Sequence, residues 1–168
     1  MASDYLLEID GIKGESSDRD HKGSIEVESF SWGLSNASSA IAGGGGGGGA
    51  SGKVSFQDFH FVKRADSTSP TLMLRCASGE HIKKATLFVR KAGGKGDQQD
   101  YMKIELKEVL VSSYQQGGSQ AGDGDSTPTD QFSLNFTKIE YSHAQQEADG
   151  SLDKVTVAGW DIKTSSKI

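Results

Sequence analysis

This 168-residue chain contains two pairs of aspartates whose spacing in the sequence resembles that of a cation-binding loop. Asp18 and Asp20, and again Asp123 and Asp125, resemble the first positions of a calcium-binding loop. Such a loop needs a glycine at its turn and an acidic residue at its end. The first pair has Ser29 where the acid belongs, and the second pair lacks both the glycine and the acid. Solvated turns are therefore the favoured interpretation of both.

A second chemical pattern lies at the end of a glycine-rich stretch. Gly47, Gly52 and Lys53 have the spacing of a phosphate-binding loop, in which backbone N–H groups and a lysine hold the phosphates. The next residue is Val54, where the motif needs a Ser or Thr hydroxyl, and a strand pattern follows instead of a helix. Nucleotide binding is therefore not expected.

Other catalytic patterns find no support in the residues. The nucleophile motif Gly-x-Ser-x-Gly is absent, and the four histidines share no metal-ligand spacing with the lone cysteine, Cys76. Cys76 lies in a predicted helix, where a buried small apolar side chain is more common than a reactive thiolate. We therefore expect no enzyme activity, no metal and no cofactor.

Composition indicates which partners the chain is not expected to bind and where it is made. The net charge of −5 offers no cationic surface for nucleic acid or an anionic membrane, so we expect neither. No apolar run reaches the roughly 18 residues of a spanning helix, and the start lacks the features of a secretory signal. We expect a single domain over residues 1–168, made in the cytoplasm and exported, if at all, by other machinery.

The elements that would position any site are mainly strands. Apolar and polar residues alternate in seven or more segments, as is typical of half-buried β-strands. A change of parity before Phe30 and another at Glu108 predict bends or bulges. Gly93–Asp97 is expected to be a hairpin turn. The predicted strands cover residues 5–9, 25–32, 54–62, 84–91, 101–114, 132–141 and 154–162.

One helix is predicted after the third of these segments. Ser69 is expected to cap it, Pro70 suits the first helical position, and Gly79 can end it in a left-handed turn. Its apolar stripe is predicted to be Leu72, Met73 and Cys76. Many short strands with a single helix favour an antiparallel barrel or sandwich.

A run of seven glycines interrupts the strand pattern. Long loops without structure of their own usually serve binding or remain disordered, and ordering glycine is entropically unfavourable. An adaptable binding loop and a plain spacer both stay open. The run consists of Gly43, Gly44, Gly45, Gly46, Gly47, Gly48 and Gly49.

Several sequence blocks, in the same order nearly from end to end, resemble the haemolysin-coregulated protein family of bacterial type VI secretion systems. The blocks are GESSDRDHKGSIEVESFSWG, GKVSFQDFHFVKRADSTSPTLMLRCASGEHI, ATLFVRKAGG, YMKIELKEVLVSSYQQGGS, FSLNFTKIEY and the AGW near Ala158. The resemblance implies a β-barrel with one flanking helix, assembled as a hexameric ring that stacks into a tube. It further implies that the glycine-containing loop helps join ring to ring, and that a contractile sheath drives the tube out of the cell.

The resemblance also implies partners: further copies of the chain, a tube-tip spike protein, the sheath and secreted effectors. Export would then pass through the type VI machinery without a signal peptide. For a lumen, small polar side chains would suit an inert wall, and Ser133, Asn135 and Thr137 alternate with apolar residues on one predicted strand. Ser29 and Ser31 are the candidate lumen and cargo residues; an ordinary solvent-exposed or intersubunit position is the alternative.

Two other functions remain open on the residues alone. A monomeric barrel that binds a small ligand is one, because many eight-stranded barrels do so. The other is a phage-type tail-tube protein, which is the structural class nearest to the type VI tube protein.

Overall fold

The computed structural model describes residues 4–36, 54–92, 98–120, 124 and 126–168. Within them the chain forms twelve strands and one helix, so the prediction of a mainly β protein is confirmed. Their bounds are β1 (Asp4–Ile9), β2 (Ile25–Val27), β3 (Ser29–Ser31), β4 (Leu34–Asn36), β5 (Val54–Phe56), β6 (Phe59–Arg64), α1 (Ser69–Ser78), β7 (Ile82–Ala92), β8 (Gln98–Gly117), β9 (Thr129–Asn135), β10 (Lys138–Gln146), β11 (Leu152–Asp161) and β12 (Ser166–Lys167).

All strand pairs are antiparallel; ten of the described strands form one sheet around the long strand β8, and β4 and β5 form a separate two-stranded sheet. The first half of β8 lies between β7 and β10 in the order β12-β11-β10-β8-β7-β1-β2. Its second half pairs with β9, which continues through β6 to β3. The predicted change of parity at Glu108 is confirmed, since Glu108 has a φ of 51° where β8 passes from one group of strands to the other.

The ladders of the described strands run from β8 through β7 and β1 to β2, and from β8 through β9 and β6 to β3, and they are not closed into one continuous ladder. β2 pairs with β1, whereas β3 pairs with β6. The chain bends at Glu28, so the two short strands belong to different ladders. The backbone N–H of Glu28 donates to the carbonyl of Val62 over 2.8 Å, and this hydrogen bond links the two ladders at the bend.

The interior is a row of aromatic and aliphatic side chains contributed by alternate positions. Phe59, Phe61 and Phe132 are fully buried, with ring centroids 4.9 Å and 5.2 Å apart along the row. Phe30 and Trp32 stack on Phe59 from the β3 side. Burial of several such side chains stabilises the fold by about 1.5–3 kcal/mol each.

Two predicted strands are each divided in the structure. The segment 54–62 becomes β5 and β6, separated at Gln57 and Asp58. The segment 132–141 becomes β9 and β10, because the N–H of Thr137 donates to the carbonyl of Lys107 and turns the chain. The predicted turn Gly93–Asp97 lies outside the described residues, although Ala92 and Gln98 on either side are antiparallel partners as a hairpin requires.

The helix is found where it was predicted, but with a different start and face. Thr68 occupies the N-cap position, and the Ser69 hydroxyl instead donates to the buried carboxylate of Asp130. Leu72 is buried as expected, whereas Met73 is 51% exposed, so the predicted stripe is wrong at that position. Gly79 ends the helix with a φ of 65°, which confirms the left-handed cap.

Cys76 is half-buried on this helix and packs against the core. In the described parts of the chain, no helix has the length and apolar character needed to cross a bilayer.

Candidate functional site

The two serines predicted to face a lumen lie on β3, and both are exposed. Between them Phe30 turns inward, with its ring 5.1 Å from Tyr5 and 5.9 Å from Phe59. The alternation of this short strand therefore places Ser29 and Ser31 together on the outer face. Their exposure agrees with the prediction; what they face in an assembly stays a prediction.

Cross-strand partners extend this surface over four strands. Directly opposite residues of antiparallel strands share a face, so the register defines one surface that we call the polar face. Of its members only His60 is ionisable, and Val62 is the one apolar side chain. The polar face consists of Ser29, Ser31, His60, Val62, Ser113, Gln115, Gln131 and Ser133.

One member of the polar face differs from expectation. Ser133 is buried, and its hydroxyl lies 2.7 Å from that of Ser112 and 2.5 Å from that of Ser113. It therefore stabilises the β8–β9 bulge and presents no open hydroxyl. Asn135 is exposed and donates to Asp58 over 2.9 Å.

A second surface is an apolar groove between the β4–β5 hairpin and strands β10 to β12. It has a volume of about 660 Å³. Two indole rings, those of Trp32 and Trp160, lie along it, and Leu34 is 52% exposed at its edge. The indole Nε1 of Trp160 is buried and has no hydrogen-bond acceptor among the residues that the structure describes. The remaining lining residues are Asn36, Val54, Phe56, Ile139, Tyr141, Ala158, Gly159 and Ser165.

Strand β11 carries a further apolar surface on its other face, because its exposed valines alternate with Ala158 and Trp160 of the groove. Val155 and Val157 are 59% and 56% exposed, which is unusual for two alternate valines of a strand. On one side β11 pairs with β10; on the other side β12 pairs only with Trp160 and Asp161. Within the described residues, the outer edge of β11 over 152–158 has no strand partner, so its backbone groups are open to pairing.

The glycine run Gly43–Gly49, predicted to join rings, lies outside the described residues. The strands on either side of it are described: β4 and β5 form a separate two-stranded ladder with Leu34 opposite Phe56 and Asn36 opposite Val54. The ends of the segment are therefore held side by side at the apolar groove.

A buried polar cluster anchors the helix to the polar-face strands. Lys63 and Asp130 are both fully buried, and Lys63 Nζ also lies 2.9 Å from Asp66. Burial would raise the pKa of Asp130, but hydrogen bonds from Ser69, Lys63 and Gln116 outweigh it and hold that pKa below its ordinary value. The carboxylate is therefore charged and paired.

The acidic segment that resembled a calcium loop has a different role. Asp18 and Asp20 bind the guanidinium of Arg90, at 2.6 Å and 3.3 Å, and are not simply solvated. In the described ranges, no three His, Cys, Asp or Glu side chains are placed to hold a metal ion. The second acidic pair, Asp123 and Asp125, lies outside the described residues, as do Gly47, Gly52 and Lys53.

Sequence reasoning missed the exposed valines of β11 and the apolar groove. The alternation of the valines predicts that β11 is a strand. It does not show that the face carrying them is left uncovered by the rest of the chain. The groove joins residues more than 100 positions apart, such as Trp32 and Trp160, so only the folded chain brings them together.

The protein is mainly β, with antiparallel strands arranged around one long strand and one helix packed on them. The β4–β5 pair and the exposed apolar edge of β11 are surfaces suited to association. The family model described as "Type VI secretion system effector, Hcp" matches residues 6–143. This chain therefore belongs to the Hcp family of type VI secretion system proteins.

Particular relatives agree with this assignment. The chain is 44% identical to Protein hcp1 of Pseudomonas aeruginosa over 164 residues, covering 97% of each chain. The crystal structure of Hcp1 from Salmonella typhimurium is 33% identical with a TM-score of 0.79, covering 100% of both chains. A structure described as a type six secretion system protein has a TM-score of 0.89 at 25% identity, covering 99% of this chain and 100% of the other.

Proposed function

We propose that this chain is a single tube-protein domain, residues 1–168, that closes into hexameric rings and stacks into the inner tube of a type VI secretion system. Membership of the Hcp family supports a role in that system. Self-association is the finer claim, and it draws its support from the surfaces of the protomer.

The observation that carries the proposal is the open edge of β11. An exposed strand edge with alternate valines is an aggregation hazard unless another chain covers it. A closed ring removes the hazard, because each copy covers the edge of the next and no free edge is left. A second copy of the chain is therefore the occupant that fits.

The apolar groove supports the same occupant. The groove residues Ala158 and Trp160 and the exposed valines lie on the two faces of β11, so a neighbouring copy that pairs with the open edge of this strand would reach both. Aromatic side chains such as Trp32, Tyr141 and Trp160 are typical of the buried centre of an interface. The complementary surface lies elsewhere on the protomer, as a head-to-tail ring requires.

The polar face then becomes the wall of the lumen. Ser29, Ser31 and Gln131 present hydroxyl and amide groups, which hold water and give passing apolar protein no adhesive patch. Secreted effectors carried inside the ring would contact this face. Arg64, the next residue of β6 on this side, is paired with Glu28, so its charge is balanced at the margin of the face.

The glycine run is proposed to supply weak axial contacts between rings. Weak contacts suit a tube that must dismantle after delivery, and lengthening a loop costs only about 0.6 kcal/mol per doubling. The tube would also meet a tip spike protein and a contractile sheath, and would leave the cytoplasm through the type VI machinery without a signal peptide.

The groove also favours one second function. A volume of about 660 Å³ lined by two tryptophans is enough for a small apolar ligand, and would suit a monomeric ligand-binding protein. The two functions differ in native mass, since the ligand-binding protein would stay a monomer.

The test places a charge on the β11 surface. In the double variant Val155→Asp, Val157→Asp, two carboxylates would be buried at the interface, and we expect association to weaken by at least ~2 kcal/mol. Ser78→Asp, at the exposed end of α1 and away from β11, is the control for added negative charge. Native mass is the readout, and an unchanged far-UV spectrum and melting temperature show that the fold is intact.

Loss of the oligomer in the double variant and its retention in the control would support the proposal. A double variant that assembles as well as the wild type would refute it.

A further inference from the structure

The segment between β1 and β2, residues 13–24, is held to the sheet by charged groups; we call it the clasp segment. Its two ends meet, because the N–H of Gly14 donates to the carbonyl of Gly23 over 2.7 Å. A side chain at Gly14 would lie 2.2 Å from the Ser24 carbonyl oxygen, so only glycine permits this approach. The segment is thus a closed loop laid across neighbouring strands.

One histidine of the clasp segment is inserted between two carboxylates of the sheet. His21 is only 6% exposed and packs on the ring of Phe88, with centroids 4.2 Å apart. Its Nδ1 lies 3.1 Å from a carboxylate oxygen of Glu8 on β1, and its Nε2 lies 2.8 Å from one of Asp100 on β8. Both ring nitrogens therefore face an acceptor.

The protonation state of His21 decides how many of these contacts form. A neutral imidazole has one N–H and can donate to one carboxylate, whereas the imidazolium ion donates to both. Burial alone would lower the pKa of His21, but the hydrogen bonds and charges of Glu8 and Asp100 outweigh it and raise that pKa. The charged, doubly bonded form is therefore the one the fold favours.

The remaining charges around the segment do not change over the same pH range. Arg90 on β7 is 3% exposed and binds Asp18 and Asp20 from the clasp segment and Asp100 from β8. A guanidinium keeps its charge at any physiological pH, so this tie persists when His21 loses its proton.

Two lysines lie at the margin of the cluster. The Lys103 ammonium is 5.9 Å from the centroid of the Phe88 ring, and the aliphatic part of Lys13 lies beside Gly23. Histidine is the side chain whose ordinary pKa lies nearest neutral pH. His21 is thus the group whose charge changes near neutral pH.

We propose that the clasp segment is a pH-sensitive device in which protonated His21 ties the segment to β1 and β8 at once, and loss of its proton frees one tie so that the segment opens more often. Since the pKa of His21 is raised on folding, the tie is complete below the ordinary histidine pKa and is lost as the pH rises through the folded value. Mild alkali loosens the segment and mild acid tightens it.

Opening would alter a neighbouring acidic cavity of about 690 Å³. Glu15, Ser16 and Asp18 of the clasp segment form part of its lining, opposite Glu26 and Asp66. A segment that lifts away therefore increases the exposure of Asp66, in the turn before α1, which is 14% exposed.

The test is hydrogen–deuterium exchange of the full-length protein as a function of pH, corrected for the intrinsic pH dependence of exchange. Protection of amides in residues 15–24 should fall roughly tenfold as the pH rises through the midpoint of His21 titration, as expected for loss of one charge-assisted hydrogen bond. The midpoint comes from the NMR signal of the imidazole ring in the same sample. Amides of β7 and β8 act as the internal reference.

Two variants separate the role of His21 from general effects of pH. His21→Gln, which cannot become charged, should show low protection of the segment at every pH. His81→Gln removes an exposed histidine and should behave as the wild type. If His21→Gln does not fold, the wild-type protein still provides a test. The pH at which the His21 ring signal changes by half should equal the pH at which protection of the clasp segment falls by half. A difference between these two midpoints would exclude the clasp.

The clasp is also excluded by three other results: pH-independent protection in the wild type, pH-dependent protection that persists in His21→Gln, or an equal loss of protection over the whole chain. All contacts of the clasp lie within one chain, so its test does not depend on whether rings form.

Discussion

Lys63 lies directly opposite Asp130 in the β6–β9 ladder, with Nζ 2.9 Å from Oδ2 and both side chains fully buried. Such a pair contributes little compared with a well-packed apolar pair, because both charges must be desolvated. Its removal on one side only is harmful, because a buried charge is then left without a partner. The cluster thus fixes how the helix docks on the strands that carry the polar face.

Loss of Lys63 should destabilise the protomer strongly. For Lys63→Met we expect the free energy of unfolding to fall by about 3–5 kcal/mol, measured by urea denaturation. Glu28→Gln is the control, because it breaks an exposed ion pair with Arg64, for which about 1 kcal/mol or less is expected. Equal effects of the two substitutions would contradict a specific role for the buried pair.

The pKa of Asp130 predicts how stability depends on acid. A carboxyl group whose pKa is lowered by folding contributes stability above its unfolded pKa of about 3.9, and loses it as the pH falls through the folded value. Asp18 acts in the same direction, since backbone N–H groups and Arg90 outweigh its burial. We therefore expect the free energy of unfolding to fall steeply below about pH 4.

Asp130→Asn is the matched variant that tests this loss of stability at acid pH. It should be less stable at neutral pH and should lose less stability between about pH 4 and pH 2, because one titrating group is gone. A variant with the same slope as the wild type over that range would show that Asp130 does not carry the effect.

A large charged side chain on the polar face should affect cargo and leave assembly intact. For Ser31→Arg we expect rings of unchanged native mass and reduced co-purification of a co-expressed effector, because the arginine would project into the lumen. Ser78→Arg, at the exposed end of α1, is the control for added charge. Loss of rings in Ser31→Arg would instead place this residue in an interface between copies.

Deletion of Gly43–Gly49 should weaken stacking while rings still form. The flanking strands β4 and β5 are already paired, so a shorter connection can still join them. Filament yield in negative-stain images is the measurement, with native mass as the check on ring formation. An unchanged filament yield would favour the plain-spacer interpretation of the glycine run.

Much of the fold follows from local pattern, and the failures have a common physical cause. The strands, the helix and the left-handed end at Gly79 depend on neighbours in sequence, so alternation and turn chemistry predict them. The start of the helix does not, because the Ser69 hydroxyl donates to Asp130, which is 61 residues away. Competition from a tertiary partner overrides the usual capping preference.

The same limit applies to the candidate sites. The exposure of Ser29 and Ser31 is predictable because alternation around Phe30 determines their side of the strand. His21 resembles part of a solvated turn in sequence, because its partners Glu8 and Asp100 come together only when β1, β7 and β8 pair. The bend at Glu28 likewise places β2 and β3 in different ladders. The change of parity in the sequence predicts a bend near this position, but it does not show which strands pair on either side of it.

Self-association is the central claim, and native mass spectrometry of the purified chain at working concentration tests it most directly. We predict a species of six times the protomer mass, with an open-centred annulus in images of the same sample. A protein that remains at the mass of one chain, 17.8 kDa, at all concentrations would contradict the claim.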